Sequence, residues 1–114
     1  MIAKDFRLKR NQINYLLNKG DSLSSKLFIA RYVENNKDFS GFCVIISRKL
    51  SGKAVERNRL RRQIYEAIRT SGLTEKSTNN VDIALIPKKP ILKKSFSEIK
   101  EDLINLQSKW TSRK

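Results

Sequence analysis

The stretch KAVERNRLRRQIYEAIR, residues 53–69, has the pattern of a single amphipathic helix. At about 100° per residue its apolar side chains fall on one face, where we expect them to pack on a sheet: Leu60, Ile64, Ala67 and Ile68. Within six consecutive positions the stretch also carries five polar or basic residues: Arg57, Asn58, Arg59, Arg61 and Arg62. Like charges this close repel one another, so folding alone does not call for them, whereas a polyanionic partner would neutralise them.

The polar side of this helix predicts binding to nucleic acid. The flank away from the apolar stripe holds Asn58, Arg61, Arg62, Tyr65 and Arg69. Arginine forms forked contacts with phosphate, and Asn58 can bond to phosphate, ribose or a base edge. The alternative is a solvated face with local salt bridges, in which Arg59 pairs with Glu56 or Glu66. Arg57 falls beside the apolar stripe in the first turn, where its stem follows the core edge and its head stays in water.

Length and charge narrow the class of protein. The chain has 114 residues, which predicts one domain over residues 1–114 with a core of its own. Lys and Arg number 25 against 11 Asp and Glu, so the net charge is +14 and RNA or DNA binding is expected. An anionic membrane surface is disfavoured, because the basic run lacks a large aromatic-rich apolar face. No apolar run approaches the roughly 18 residues of a membrane-spanning helix.

The residue types argue against a catalytic centre made of protein. The chain has no histidine, and its few acids are scattered rather than clustered for two metal ions. Cys43 is the only cysteine and lies in an apolar run, so we interpret it as a core residue in a protein of the reducing cytoplasm. We therefore assign no catalytic residue. A stand-alone nuclease is disfavoured, while the charge alone equally allows a ribosome-type structural RNA-binding protein.

The pattern of the remaining chain predicts both helices and strands. The expected elements before the basic helix are a basic arm over 1–10, a helix over 11–19 that stops at Gly20, a polar loop over 21–25, a strand over 27–33, a turn over 34–38, a strand over 41–47 and a basic loop over 48–53. Ser51 in the basic loop is a candidate N-cap.

The basic helix should end near Thr70, and further elements follow it. They are a left-handed cap at Gly72, a short helical piece over 73–77, a strand over 82–86, a linker over 90–94, a C-terminal helix and a frayed tail over 111–114. Ser95 and Glu98 have capping-box spacing at the start of the last helix. The apolar stripe of that helix is interpreted as core: Phe96, Ile99, Leu103, Leu106 and Trp110.

The stretch over residues 54–67 closely resembles the signature of the bacterial ribonuclease P protein subunit. That signature is Ala-Val, one variable residue, Arg-Asn-Arg, an apolar residue, two basic residues and a partly basic helical continuation. The surroundings match in the same order: a basic entry at 7–10, a first strand at 26–28, a loop at 47–49 and a last strand at 82–86. The resemblance covers nearly the whole chain.

This resemblance implies a fold and a function. The fold is an α/β structure of the α+β sandwich type, with helices on a small mixed sheet and an unusual left-handed βαβ crossover through the basic helix. The function is to join a large catalytic RNA in the ribonucleoprotein that removes the 5′ leader from precursor tRNA. Catalysis would belong to the RNA and its Mg²⁺, with no DNA or membrane partner. Whether the protein itself holds a metal ion is left open.

The resemblance also implies two binding sites. One meets the RNA subunit and consists of the basic loop and helix: Arg48, Lys49, Lys53, Arg57, Asn58, Arg59, Arg61, Arg62, Tyr65 and Arg69. The other is a cleft between the first helix and the sheet, which takes the single-stranded leader: Ile13, Leu17, Ile29 and Arg31.

The cleft departs from the usual family pattern. The family often has phenylalanine at positions 13 and 17 and an aromatic residue near Arg31, whereas this chain has Ile13 and Leu17. Stacking on unpaired leader bases should therefore contribute less here, although Tyr15 or Tyr32 could partly substitute. Core packing is the alternative role for the two aliphatic residues.

The RNA-facing helix departs from the pattern at two further positions. Tyr65 stands where the family usually has arginine, which removes one phosphate contact or replaces it with a stack. Ser51 and Gly52 add one residue to the loop before the signature, which changes how Arg48 and Lys49 are placed.

Overall fold

The computed structural model of the protein describes residues 8–34, 41–71 and 81–111, with side chains as far as residue 109. Its elements are α1 (Arg10–Lys19), β1 (Asp21–Ser24), β2 (Phe28–Glu34), β3 (Gly41–Val44), α2 (Ala54–Thr70), β4 (Val81–Pro87), a 3₁₀ segment (Lys89–Lys93) and α3 (Phe96–Thr111). Some predictions lie outside the described residues: the arm as far as residue 7, the turn over 35–38, the Gly72 cap, the helical piece over 73–77, the Trp110 side chain and the tail over 112–114.

The four strands form one mixed sheet in the order β1-β2-β4-β3. β2 pairs antiparallel with both β1 and β4, and Ile29 lies opposite Ile86 in this register. β3 and β4 are parallel neighbours, and the chain between them runs through α2. The mixed sheet and the α+β class are therefore confirmed, while the left-handed sense of the crossover stays a prediction.

One face of the sheet is closed by α2 and α3. Alternate residues of β2 point into this core, where Phe28 and Ala30 are fully buried. The two helices bury the residues of their predicted stripes there: Leu60, Ile64, Ala67, Ile68, Ile99, Leu103 and Leu106. Each such side chain contributes about 1.5–3 kcal/mol on burial, so this face holds most of the stabilising apolar contact.

The opposite face is covered only in part, by the ten-residue α1. Leu16 of α1, Cys43 of β3 and Ala84 of β4 form a small buried cluster there. Burial raises the pKa of the Cys43 thiol, and the charge of Arg61 partly offsets that rise, so the interpretation of Cys43 as a core residue is confirmed. Gly20 ends α1 as predicted. The position requires glycine, because a Cβ there would lie 2.6 Å from the Leu16 carbonyl oxygen.

Four boundaries differ from the prediction. Residues 21–24 form the edge strand β1 rather than a loop, because pairing with β2 orders a mostly exposed polar segment. β3 ends at Val44, three residues early. The predicted linker contains a 3₁₀ segment that buries Ile91. The arm ends earlier than residue 10, since the Leu8 N–H donates to the Phe42 carbonyl at 2.9 Å and α1 begins at Arg10.

The start of α3 has the predicted capping box. The Ser95 N–H donates to Glu98 Oε1 at 3.1 Å, and the Glu98 N–H donates to Ser95 Oγ at 3.2 Å. These bonds satisfy backbone groups that a helix terminus otherwise leaves without partners, and they hold the pKa of Glu98 below its usual range. Among the described helices, none is both long and apolar enough to cross a bilayer.

Candidate nucleic-acid interface

α2 divides into a buried face and a charged face, as its sequence predicts. Leu60 is 4% exposed and Ile64 is fully buried against the sheet. The outward part of the helix and the preceding loop carry polar and basic residues that we call the basic surface: Arg48, Lys49, Lys53, Arg57, Asn58, Arg59, Arg61, Arg62 and Arg69. Arg57 and Arg61 are half-buried and the others are exposed. Nine of the ten predicted RNA-subunit contacts therefore reach solvent at least in part along α2 and the loop before it, and their contact with RNA stays a prediction.

Tyr65 is the tenth predicted contact, and its placement on the surface is wrong. Its side chain is 7% exposed and belongs to the core formed by the sheet, α2 and α3. The buried side of α2 is therefore wider than the stripe of Leu60, Ile64, Ala67 and Ile68. Tyr65 occupies a core position where the family usually has arginine.

Several arginines of α2 are already engaged within the protein. The Arg69 guanidinium donates to both carboxylate oxygens of Glu66, at 2.6 and 2.7 Å, and these bonds lower the pKa of Glu66 and raise that of Arg69. Arg61 Nη1 donates to Asn58 Oδ1 at 3.1 Å. Of the two acids predicted to pair with Arg59, the structure shows Glu56, whose Oε2 lies 3.9 Å from Arg59 Nη2.

Arg62 differs from these neighbours. Its side chain is exposed, and within the part of the chain that the structure describes it has no hydrogen-bond or ion-pair partner. The same is true of the side chains of Arg48, Lys49 and Lys53 in the loop. These four cations are available to a ligand at no cost in internal contacts, and the N-terminus of α2 adds positive potential beside the three in the loop.

The prediction that Ser51 caps α2 is wrong. The helix begins at Ala54 with Lys53 at the N-cap position, and no side chain caps it. Ser51 is instead 8% exposed, and its backbone carbonyl accepts a bond from Arg57 Nη1 at 2.8 Å. Its hydroxyl donates to Glu56 Oε1 and accepts from the Lys53 N–H at 3.3 Å. Sequence spacing gives no signal for this arrangement, because it depends on how the loop folds back.

The predicted cleft lies on the partly covered face of the sheet. Leu17 is 41% exposed on α1 and Ile29 is 39% exposed on β2. Arg31 Nη2 donates to the Leu17 carbonyl at 3.2 Å, which ties the end of α1 to β2. Arg31 Nε is buried and has no partner among the described residues. Ile86, which lies beside Ile29 in the register, extends the apolar floor and was not predicted as a site residue.

Three further residues were assigned to the cleft or to its support. Ile13 is half-buried and packs on the small cluster under α1, which agrees with its place in the cleft and with its alternative core role alike. Tyr32 is 6% exposed and points into the opposite, closed face, so the expectation that it could replace a missing aromatic is wrong. Tyr15 is exposed but lies two residues from Leu17, about 200° around α1, and points away from the cleft.

The described residues do not contain a set of ligands for a metal ion. No three His, Cys, Asp or Glu side chains within 8–34, 41–71 and 81–111 come together in a suitable arrangement. We therefore derive no metal-dependent step from the side chains of this protein. The interface consists of a cationic surface on one side of the sheet and a partly apolar cleft on the other.

Comparison with known proteins agrees with this architecture. A family model described as Ribonuclease P matches residues 2–111. The chain is 36% identical over 107 residues to the ribonuclease P protein component of Petrotoga mobilis, covering 90% of this chain and 87% of the relative. It is 32% identical over 105 residues to that of Clostridium kluyveri, covering 91% and 93%. The solved RNase P protein from Thermotoga maritima is similar with a TM-score of 0.74 and 31% identity, covering 88% and 93%. The chain therefore belongs to the ribonuclease P protein family.

Proposed function

We propose that this protein is the protein subunit of ribonuclease P. In this role it binds the catalytic RNA through the basic surface and the 5′ leader of precursor tRNA through the cleft. It thereby promotes the endonucleolytic cleavage that removes the leader and leaves the mature 5′ end of the tRNA. A cytoplasmic location, where tRNA precursors are processed, is part of the proposal.

The single observation that carries this proposal is the cluster of free cations on the basic surface. Among the residues that the structure describes, Arg48, Lys49, Lys53 and Arg62 have exposed side chains without partners, in a chain of net charge +14. Leaving them unneutralised is unfavourable in the free protein, and contact with phosphates releases counterions and relieves that repulsion. Family membership supports the identification of the polyanion as the RNA subunit.

The division of labour follows from the side chains. The basic surface offers cations that hold phosphate but no general base, so we assign the hydrolysis to the RNA subunit and to Mg²⁺ held mainly by that RNA. The cleft offers apolar contact from Leu17 and Ile29, with Arg31 at its edge. An unpaired strand fits such a site because its bases are free to lie on the apolar floor.

A cleavage assay tests the proposal. The purified protein is combined with a bacterial ribonuclease P RNA at low Mg²⁺, with precursor tRNA that carries either a long or a one-nucleotide leader. We expect the protein to restore cleavage and to favour the long leader. The control variant is Lys100→Gln on α3, which should behave as the wild type. If the protein binds the RNA without changing cleavage, it is a structural RNA-binding protein instead, and the proposal fails.

A further inference from the structure

We propose that Arg57 is a positioning residue, which acts on the RNA through the loop over residues 48–53 rather than by touching phosphate. It does so by holding Ser51 in an arrangement that we call the Ser51 clip, formed by Ser51, Lys53, Glu56 and Arg57. The inference rests on the proposed function, because it concerns how the basic surface is held for the RNA subunit.

The clip fixes Ser51 from three directions. Arg57 Nη1 donates to its carbonyl at 2.8 Å, the Lys53 N–H donates to its hydroxyl at 3.3 Å, and that hydroxyl donates to the Glu56 carboxylate. Ser51 is 8% exposed, which is unusual for serine in a charged loop. Hydrogen bonds that involve an ionised group are about twice as strong as neutral ones, and two of these three do.

The residues before Ser51 are held as well. Leu50 is 9% exposed and joins the main core, and its N–H donates to the Ser47 carbonyl at 3.2 Å in a turn. Arg48 and Lys49 lie within that turn, directly before the core anchor Leu50 and the clip that follows it. Their side chains are exposed while their backbone is tied down, so they meet a ligand without a large loss of backbone entropy.

Arg57 is poorly placed to contact phosphate itself. It is half-buried in the first turn of α2, and its guanidinium already donates to Ser51. Swinging it out to a phosphate would break that bond and leave the Ser51 carbonyl without this donor. Arg62, in contrast, is exposed with no partner among the described residues.

The clip also explains an acidic residue on a phosphate-facing surface. A carboxylate there would repel RNA unless hydrogen bonds and ion pairs within the protein offset its charge. Glu56 accepts the Ser51 hydroxyl with one oxygen and lies 3.9 Å from Arg59 with the other. The Glu56 carboxylate therefore holds Ser51 in place, in the part of the loop that is one residue longer than the family pattern.

A double-mutant cycle tests the inference on binding to a bacterial ribonuclease P RNA. One background is the wild type, and the other carries Arg48→Gln, Lys49→Gln and Lys53→Gln, so that the loop lacks its three cations while the Lys53 backbone N–H is kept. We expect Arg57→Gln to weaken binding about tenfold in the wild type but no more than about twofold in the second background, because coupled residues are not additive. Arg62→Gln should cost the same in both. Equal loss from Arg57→Gln in both backgrounds would overturn the inference.

Hydrogen exchange of the free protein gives a second readout that needs no RNA. Arg57→Gln and Ser51→Ala should both speed exchange of the Lys53 amide and its loop neighbours, while the core amides of α2 keep wild-type protection. Gly52→Ala is the matched control in the same loop, since a Cβ there meets nothing within 4 Å. Unchanged exchange in both variants would refute the clip. A wild-type protein that fails to bind the RNA would refute the proposed function instead, and exchange would still decide whether the clip exists.

Discussion

The basic surface and the cleft lie on opposite sides of one sheet and present different chemistry. α2 is sealed on its inner side by the sheet and α3, so its outer side is free to carry charge. The other face has only the ten-residue α1, which leaves Leu17 and Ile29 about two-fifths exposed. The short helix α1 leaves apolar side chains of the sheet exposed, and they form the floor of the cleft. The longer helix α2 has its apolar side buried, so only its polar side faces solvent.

The two regions should therefore respond to different conditions. Contacts between cations and phosphates weaken as salt rises, because releasing counterions into a more concentrated salt solution gains less entropy. Apolar contacts to bases lack this dependence and respond to the shape and aromatic character of the floor. Varying salt and varying the bases of the leader separate the contributions of the two sites.

The largest expected effect is the loss of affinity for the catalytic RNA as the salt concentration rises. With four free cations contacting phosphate, affinity for the catalytic RNA should fall about a hundredfold between about 50 and about 200 mM monovalent salt. The ratio of affinities for a natural leader and for an abasic leader of equal length should change little, because the two carry the same phosphates. Filter binding at several salt concentrations measures both quantities. An affinity for the catalytic RNA that ignores salt would remove the basis for separating the regions.

The next effect compares two arginines on the same helix. Arg62→Gln should weaken binding to the catalytic RNA about tenfold and reduce the salt slope by about 1, because a free cation loses its phosphate contact. Arg69→Gln should cost about twofold or less, since Glu66 already takes the Nε–Nη2 edge of that guanidinium and offsets its charge. The two substitutions are chemically identical, so they control for each other. Equal losses would show that internal pairing does not predict which cations reach the RNA.

Local periodicity was enough to predict much of the architecture. The stripe of α2, its charged flank and the capping box at Ser95 each depend on residues three or four positions apart along one helix. The same logic failed where a distant element decides the outcome. Tyr65 is buried in the core that the sheet, α2 and α3 build together, and residues 21–24 form a strand because β2 offers a partner.

The sites divide in the same way. Periodicity predicted which side of α2 is exposed, apart from Tyr65, whereas the floor of the cleft needed the register that sets Ile86 beside Ile29. The Ser51 clip joins residues up to six apart through a loop whose path no periodic pattern describes. Sequence thus predicted which residues are candidates to meet RNA, and the fold was needed to tell free cations from engaged ones.

The smallest expected effect concerns stacking in the cleft. Because Leu17 and Ile29 offer apolar contact without a ring, making the leader abasic should weaken binding of precursor tRNA to the holoenzyme by less than about fivefold. Leu17→Phe supplies a ring at a position that is 41% exposed beside Arg31, and should raise that loss to more than about fivefold. Ile104→Phe is the matched control, since Ile104 is a similarly exposed aliphatic residue on α3, at 44%. If neither phenylalanine changes the loss of affinity caused by the abasic leader, the leader does not lie on this floor. The contrast between the two regions would then keep only its basic surface as an RNA-binding site.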